Sequence, residues 1–359
     1  MANRVTIQDI ADALGVSRNT VSKAINNTGI LADATREKIL KKAAEMGYKQ
    51  FTQFIPAVPG RMAPLLTGPD KKGEIVLFTT VFWAKNSYVS TLVETFQKKL
   101  SKQGYGLTMH RILHEEVDRM ELPRAFDPER TSGIICFELF DDRYCQMVCS
   151  LGIPVLFTDA PVGSMGAPLP ADVIYADDRS AICAFVKEMA LRGKTKIGFV
   201  GEHLHSLSFF QRYMSYRTAM LLAGLPCPED CCILGNKEGV RYPDSNDYQD
   251  YLTEQLRSIK SLPEVFICAN DFVAVDLLQV MKKQKISVPA DLYLCGFDDA
   301  PETRMVTPSL TTVHVDSESM GATAFHLLLS RIEDPSLTFR TVYVGTTLVF
   351  RDSTGDFSG

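Results

Sequence analysis

The sequence predicts a small all-α domain followed by a larger α/β domain made of two similar halves, each built on a parallel sheet. Three observations support this prediction. Apolar residues near the start recur at helical spacing on either side of a glycine. After residue 73, short apolar runs alternate with helical stretches, and this alternation restarts after residue 178. A chain of 359 residues is also too long for one ordinary core.

Residues 5–26 predict two short helices joined by a tight turn. The apolar residues of the first helix have the spacing of one buried face: Ile7, Ile10, Ala11 and Leu14. Thr6 is placed to cap that helix, Asp9 follows three residues later as its capping-box partner, and Gly15 ends it. Ser17 offers a second cap, before a helix with an inner face of Val21, Ala24 and Ile25. Two such helices form a helix-turn-helix.

The outer face of the second helix is polar and cationic. It contains Arg18, Asn19, Thr20, Ser22, Lys23 and Asn26, and no acidic residue occurs from residue 15 to residue 29. Arg and Lys donate to guanine edges, Asn pairs with adenine, and Ser and Thr hydroxyls reach phosphate oxygens. The face therefore predicts contact with double-stranded DNA, and the alternative is a helical pair with an ordinary polar surface.

This stretch resembles the DNA-binding headpiece of the lactose-repressor (LacI) family of bacterial transcription regulators. The resemblance lies in Val5-Thr6-Ile7, Asp9-Ile10-Ala11, Gly15-Val16-Ser17, Thr20-Val21-Ser22 and Asn26, and continues through a third helix at residues 32–48 with Thr35-Arg36-Glu37-Lys38 and Gly47-Tyr48. By that resemblance Arg18, Asn19 and Lys23 would read bases. The residues that would hold the DNA backbone are Thr6, Ser17, Thr20, Ser22, Asn26 and Tyr48.

Charge is divided unevenly along the chain. The net charge is −5, but residues 1–50 carry eight Lys and Arg against five Asp and Glu, a charge of +3, which leaves −8 for the remainder. A basic head on an acidic body confines a nucleic-acid contact to the head. No apolar run opens the chain or approaches the roughly 18 residues of a membrane span, so we expect a cytoplasmic protein with no membrane partner.

Metal and catalytic motifs are weak. The nine cysteines are scattered without a Cys-x-x-Cys pair, which predicts free thiols in a reducing compartment rather than zinc. Asp298-Asp299 and His203-x-His205 could be paired carboxylates or metal ligands, but neighbours this close on irregular chain rarely converge on one atom. No nucleophile elbow, phosphate loop or His-Glu-x-x-His motif accompanies them. We therefore expect no enzyme activity, no cofactor and no metal.

Residues 51–73 predict a linker, because prolines and glycines recur through them. The resemblance implies a short hinge helix here, with an apolar wedge for the DNA minor groove. The sequence departs from that pattern, and an extended tether is the main prediction. Met62, Leu65 and Leu66 are the candidate wedge residues if a hinge helix forms.

The remainder, residues 74–359, predicts two tandem α/β halves with a cleft between them, the shape of a hinge-closing small-molecule binder. Its apolar runs, read as strands, are residues 75–78, 105–110, 132–137, 153–157, 196–201, 265–269 and 292–297. The motifs Asn270-Asp271, Gly296-Phe297-Asp298-Asp299 and Pro308-Ser309-Leu310-Thr311-Thr312-Val313 resemble the LacI-family regulatory core. That resemblance implies a periplasmic-binding-protein-like core of two Rossmann-like subdomains, residues 74–175 with 317–344 and residues 176–316 with 345–359.

Ligands of open α/β sheets bind beyond the carboxyl ends of the strands, and this rule selects the polar residues that follow buried runs. They are Glu138, Asp159, Asn270 and Asp298. Asp271 is expected to cap the next helix, which leaves Asn270 as the ligand contact. The segment from Arg212 to Tyr216 resembles the family's Arg-x-x-Gly-aromatic element with Ser215 in place of Gly, so Arg212 and Ser208 would line the pocket.

Two further features of the pocket stay open. The aromatic residues Phe82, Trp83 and Tyr88 could stack on a ligand or simply pack. Glu138 stands where the family often has a neutral amide or hydroxyl, and if it faces the cleft it would disfavour anionic ligands.

The sequence thus favours a homodimeric repressor that binds a near-palindromic operator and responds to a small-molecule effector, a sugar or sugar derivative. The alternatives are an effector-independent regulator or activator that uses its core for dimerisation, and a free solute-binding protein. The headpiece and the lack of an N-terminal apolar run disfavour the solute-binding protein.

Overall fold

The computed structural model describes residues 5–25, 33–46, 72–81, 87–237 and 245–355. The chain divides into two units, Met1–Gly68 and Pro69–Gly359. Most of the predicted linker lies outside the described residues, and the first strand begins at Gly73, the last residue of that predicted linker. None of the helices in the described part of the chain has the length and apolarity to cross a membrane.

The first unit contains three helices, each of which packs against the other two: α1 (Ile7–Leu14), α2 (Arg18–Ile25) and α3 (Asp33–Glu45). Their shared core consists of Ile10, Ala11, Val21, Ala24, Ile39 and Ala43. The predicted capping box is confirmed, because Thr6 Oγ1 accepts from the Asp9 amide at 3.3 Å and Asp9 Oδ2 accepts from the Thr6 amide at 2.7 Å. Gly15 ends α1 at φ 65°, a conformation that costs glycine little.

The second unit alternates strands with helices along nearly its whole length. In chain order its elements are β1 (Gly73–Thr79), α4 (Ser87–Lys102), β2 (Tyr105–Arg111), α5 (His114–Arg119), β3 (Thr131–Phe137), α6 (Asp142–Cys149), β4 (Val155–Phe157), β5 (Asp172–Ala176), α7 (Asp178–Leu191), β6 (Ile197–Val200), α8 (Leu207–Leu222), α9 (Ser245–Ser258), β7 (Val265–Cys268), α10 (Asp271–Lys283), β8 (Tyr293–Cys295), α11 (Glu302–Met305), β9 (Thr312–Val315), α12 (Ser317–Glu333), β10 (Thr341–Val344) and β11 (Thr346–Val349).

These elements form two lobes. The first lobe is built on a parallel sheet in the order β10-β5-β4-β3-β1-β2, with α4 and α12 packed together against it. The second lobe is built on the parallel sheet β6-β7-β8, extended by an antiparallel pair of β9 and β11. Strands such as Ile75–Phe78 are buried on both faces, which explains their continuous apolar runs. The predicted fold class is confirmed.

The chain passes between the lobes three times, after β5, after β9 and after β10. A buried ion cluster joins three segments of the first lobe where β5 and β10 begin and α12 ends, at the opposite end of these elements from the crossings. Asp172 on β5, 1% exposed in its side chain, accepts from Arg331 Nη2 of α12 at 2.9 Å and from Arg340 Nη2 just before β10 at 2.7 Å. Burial alone would raise the pKa of Asp172, but the hydrogen bonds from Arg340 and Arg331 hold it below its ordinary value.

Candidate functional site

The predicted DNA-reading face is the exposed side of α2 in the first unit. Arg18, Asn19 and Lys23 are exposed there, while Val21 and Ala24 are buried on the opposite side of the same helix. The exposed residues thus extend from a helix whose orientation is fixed by its apolar side. The described residues of α2 and of the turn before it include no Asp or Glu.

Ser17 fixes the start of α2. Its hydroxyl accepts from the Thr20 amide at 3.0 Å and lies 2.7 Å from the Thr20 hydroxyl. The backbone-holding residues Thr6 and Ser17 are exposed, and Thr20 and Ser22 are half-buried. Asn26 and Tyr48, predicted to belong to the same group, lie outside the described residues.

The second candidate site is the cleft between the lobes of the second unit. Glu138 and Asp159 follow β3 and β4 of the first lobe, and Asn270 and Asp298 follow β7 and β8 of the second, all of them half-buried. Glu138, Asp159 and Asp298 have φ values of 50°, 148° and 108°. Such backbone strain in non-glycine residues concentrates at functional sites. A cavity of about 340 Å³ beside Asp298 is lined by residues of both lobes, but the other predicted effector residues are not part of its lining.

Arg212 on α8 is the central cation of the cleft. Its side chain is 8% exposed and lies over the Phe297 ring, 3.7 Å from the ring centroid. Arg212 Nε donates to Asp178 Oδ1 at 2.8 Å, Nη1 donates to the Ala269 carbonyl at 2.7 Å, and Nη2 lies 3.5 Å from Asp298 Oδ1. The guanidinium thus links α7 to the segments that follow β7 and β8 at the rim of the second lobe.

Asp159 joins the two lobes directly. Its Oδ1 accepts from the Ala160 amide at 2.7 Å and from the Ser208 amide of α8 at 3.1 Å, and the Ser206 hydroxyl also hydrogen-bonds this carboxylate. Ser208, which was predicted to line the pocket, is buried and donates its backbone amide to Asp159. Burial raises the pKa of Asp159 despite these hydrogen bonds.

The roles expected for Asn270 and Asp271 are partly wrong. Asn270 caps α10, because its Oδ1 accepts from the Val273 amide at 2.9 Å. Asp271 is buried and accepts from the Thr312 hydroxyl at 2.6 Å and the Ala300 amide at 2.7 Å, so it supports the loop after β8. The Asn270 amide nitrogen still leaves a donor for a ligand, so its contact with effector stays a prediction.

Asp178 is a site residue that the sequence did not reveal as one. It is the first residue of α7, a position where acidic residues are common because they favour the helix dipole. Its side chain, however, is 1% exposed and forms an ion pair with Arg212. Burial raises its pKa to about 7 in spite of Arg212, and Asp159 and Asp298 raise it further. Phe82 and Trp83 lie outside the described residues, as does the side chain of Tyr88.

Two family models match the chain. The model of bacterial regulatory proteins of the lacI family matches residues 6–50, and the model of the periplasmic binding protein-like domain matches residues 186–354. The two matched segments lie in different units, and the first contains all three helices of the first unit.

Curated relatives match over almost the whole chain. The HTH-type transcriptional repressor PurR of Vibrio parahaemolyticus is 26% identical over 351 residues, which cover 97% of this chain and 98% of that protein. PurR of Vibrio atlanticus is 27% identical over 332 residues, 92% of each chain. The match therefore covers nearly the full length of these HTH-type transcriptional repressors.

Solved structures share the fold at lower identity. A complex of the transcriptional regulator CelR with cellobiose superposes with a TM-score of 0.66 at 21% identity, covering 98% of this chain and all of that chain. A lac repressor dimer bound to operator and the anti-inducer ONPF gives 0.65 at 20% identity, covering 99% of this chain and all of that chain. A regulator from Enterococcus faecium with bound ribose gives 0.60 at 19% identity, covering 79% of this chain and all of that chain.

Proposed function

Because the chain belongs to the lacI family of bacterial regulatory proteins, we propose that it is a transcriptional repressor that binds a near-palindromic operator as a homodimer. A small effector in the cleft between the lobes, a sugar or sugar derivative, controls this binding. The observation that carries the proposal is the outer face of α2, which offers Arg18, Asn19 and Lys23 to solvent without a neighbouring acid. The protein has no catalytic role in this proposal.

On DNA, α2 would lie in the major groove. Arg18 and Lys23 would donate to guanine, and Asn19 would pair with adenine. Ser17 and Thr20 would hold the phosphate backbone at the start of the helix, where helix amides also favour an anion. Two copies related by a two-fold axis would place their α2 helices about 34 Å apart, which requires an operator with matching half-sites.

The effector would bind beyond the carboxyl ends of the strands in both lobes. Carboxylates at Asp159 and Asp298 accept hydroxyl donors, and Arg212 donates, which suits a polyhydroxylated molecule. The ribose and cellobiose bound by two proteins of this fold support the same ligand class. Effector that prefers one lobe arrangement by about 1–3 kcal/mol would change operator affinity by a corresponding factor.

The test is selection of the preferred duplex from a random library, followed by binding measurements with variants. We expect Lys23→Ala and Asn19→Ala each to weaken binding to the selected duplex by about 1–3 kcal/mol, with little change on random DNA. Lys41→Ala is the matched control, because it removes an exposed cation from α3 instead. Equal losses on selected and random DNA for all three variants would contradict base reading by α2.

The effector part of the proposal has its own test. Sugars and sugar derivatives are screened for a change in operator affinity with the wild-type protein and with Asp298→Ala. We expect at least one compound to act on the wild type and to lose its action on the variant, while both proteins bind the operator equally without it. If no small molecule alters operator affinity, the second unit serves dimerisation alone.

A further inference from the structure

The cleft contains more negative charge than its one guanidinium can balance. Glu138 and Asp159 approach from the first lobe and Asp178 and Asp298 from the second. Among the described residues, Arg212 is the cation whose charge acts on all four. If every carboxyl group is ionised, the cluster carries three uncompensated negative charges. Unpaired charges at such depth are costly, so the imbalance points to a missing partner.

Two of these acids have unused acceptors. The Glu138 carboxylate receives no hydrogen bond from any of the described residues, whereas its backbone carbonyl accepts from the Thr80 hydroxyl. Asp178 gives Oδ1 to Arg212, but its Oδ2 is buried without a partner. Asp159, in contrast, is satisfied by Ser206, Ala160 and Ser208. The free acceptors lie around Arg212, on opposite sides of the cleft.

The acids also resist ionisation. Burial, together with the charges of Asp159 and Asp298, raises the pKa of Glu138 to about 7. Burial raises the pKa of Asp298 to about 6 even though Arg212 opposes the change. His205, close to Asp159, is itself kept neutral by burial, which lowers its pKa. Among the residues that the structure describes, no side chain therefore supplies a second cation to all four acids.

We propose that the effector carries an ammonium group, which binds between Glu138 and Asp298 beside Arg212. This inference rests on the proposed effector function and narrows the ligand class. An ammonium has three N–H donors and no acceptor, which matches a surplus of carboxylate oxygens. In residues 87–237 and 245–355 no three acidic, His or Cys side chains converge closely enough to hold a metal ion, which favours an organic cation. Amino sugars and small aliphatic amines are the two sources of this group.

The first experiment compares matched ligands on the full-length wild-type protein at pH 7.0. Glucosamine and galactosamine are titrated against glucose, galactose and their N-acetylated amino sugars, and putrescine, glucose 6-phosphate and CaCl2 complete the set. Melting temperature and calorimetric affinity are measured. We expect at least one amine to bind about tenfold or more tightly than its neutral counterpart. If an amino sugar binds more tightly than putrescine, the ligand is a hydroxylated amine. If putrescine binds more tightly, the ligand is an aliphatic amine.

The second experiment changes the charge at Glu138. Glu138→Gln should reduce the affinity for the amine by about tenfold or more, and it should reduce the affinity for the matched neutral sugar by a smaller factor. Glu115→Gln is the matched control, since Glu115 is exposed on α5 of the same lobe, and it should have no effect. Affinity of the wild type for the amine should increase from pH 5.0 to pH 7.0, because Glu138, Asp178 and Asp298 ionise over this range.

Two sets of results separate this inference from the proposed function. The inference is overturned if no amine binds, if a neutral sugar, the phosphate or Ca²⁺ binds more tightly than the amines, or if Glu138→Gln leaves amine affinity unchanged. A protein that still binds its operator and responds to a neutral sugar would keep the proposed function. A wild-type protein that selects no duplex at all would fail the proposed function first.

Discussion

Replacing Arg212 with alanine should destabilise the second unit and abolish its response to effector. The side chain is 8% exposed, and it donates to Asp178 at 2.8 Å and to the Ala269 carbonyl at 2.7 Å. It also lies 3.5 Å from Asp298. The substitution therefore removes the cation that faces two acids and leaves both of them in place at the rim of the cleft.

The expected loss follows from this geometry. Removing one partner of a buried ion pair costs about 3–5 kcal/mol. The Asp298 side chain is 14% exposed, so water can partly replace Arg212 there, which favours the lower end, about 3 kcal/mol. For a unit of this size each kcal/mol lowers the melting temperature by about 2–4 °C, so we expect a decrease of roughly 6–12 °C at pH 7.5.

The loss should depend on pH. Arg212 lowers the pKa of Asp178 and of Asp298, so without it both pKa values rise further above their ordinary range. A carboxyl with a raised pKa in the folded state destabilises while it is ionised, and protonation removes that penalty as the pH falls. The decrease in melting temperature should thus be smaller at pH 5.0 than at pH 7.5.

The measurement is calorimetric unfolding of the wild type, Arg212→Ala and Arg212→Lys at both pH values. The lysine variant keeps the charge but cannot reach all three acceptors, so it should recover part of the loss. A double-mutant cycle with Asp298→Asn isolates the coupling to that residue. An alanine variant that melts within 2 °C of the wild type, or loses the same amount at both pH values, would refute the reasoning.

Three further predictions concern other parts of the chain. Ser17→Ala should cost the first unit about 1 kcal/mol by loss of the helix cap, and Ser17→Asp should retain most of that stability, as judged by thermal unfolding and operator binding. Asp172→Asn should cost about 3–5 kcal/mol in denaturant unfolding, since Arg331 stays buried without its counter-ion; equal stability would show that the cluster contributes nothing. The melting temperature of the wild type should rise from pH 8 to about pH 5, as Glu138 and Asp178 become protonated near pH 7, and fall below about pH 4, where the lowered pKa of Asp172 is passed. A melting temperature that stays constant from pH 8 to pH 5 would contradict these pKa assignments.

The first unit was predictable because its signals are local. Thr6 with Asp9, Gly15 and Ser17 each specify the backbone within four residues, and the structure places a capping box, a left-handed turn and a second cap there. The strands of the second unit were predictable for a similar reason, since strands buried on both faces appear as continuous apolar runs. The weaker strands β5, β10 and β11 have mixed or short patterns, and their pairing depends on distant segments.

The details of the cleft were less predictable because they depend on contacts far apart in sequence. Asn270 and Asp271 are both able to cap α10. Asn270 is the cap, because the Asp271 carboxylate accepts hydrogen bonds from Thr312 and Ala300, which lie 41 and 29 residues away in the sequence. Asp178 looks like an ordinary acid at the start of a helix. Its role emerges through Arg212, 34 residues later, which no spacing rule connects to it.

The three crossings between the lobes have a consequence for the synthesis of the protein on the ribosome. The first lobe needs β10 at residues 341–344 to complete its sheet, and the second needs β11 at residues 346–349. Neither lobe is complete until the last strands are translated. Arg331, the buried partner of Asp172, is likewise translated 159 residues after it. No single truncation yields an intact lobe, so both lobes can complete their sheets only after almost the whole second unit has been translated.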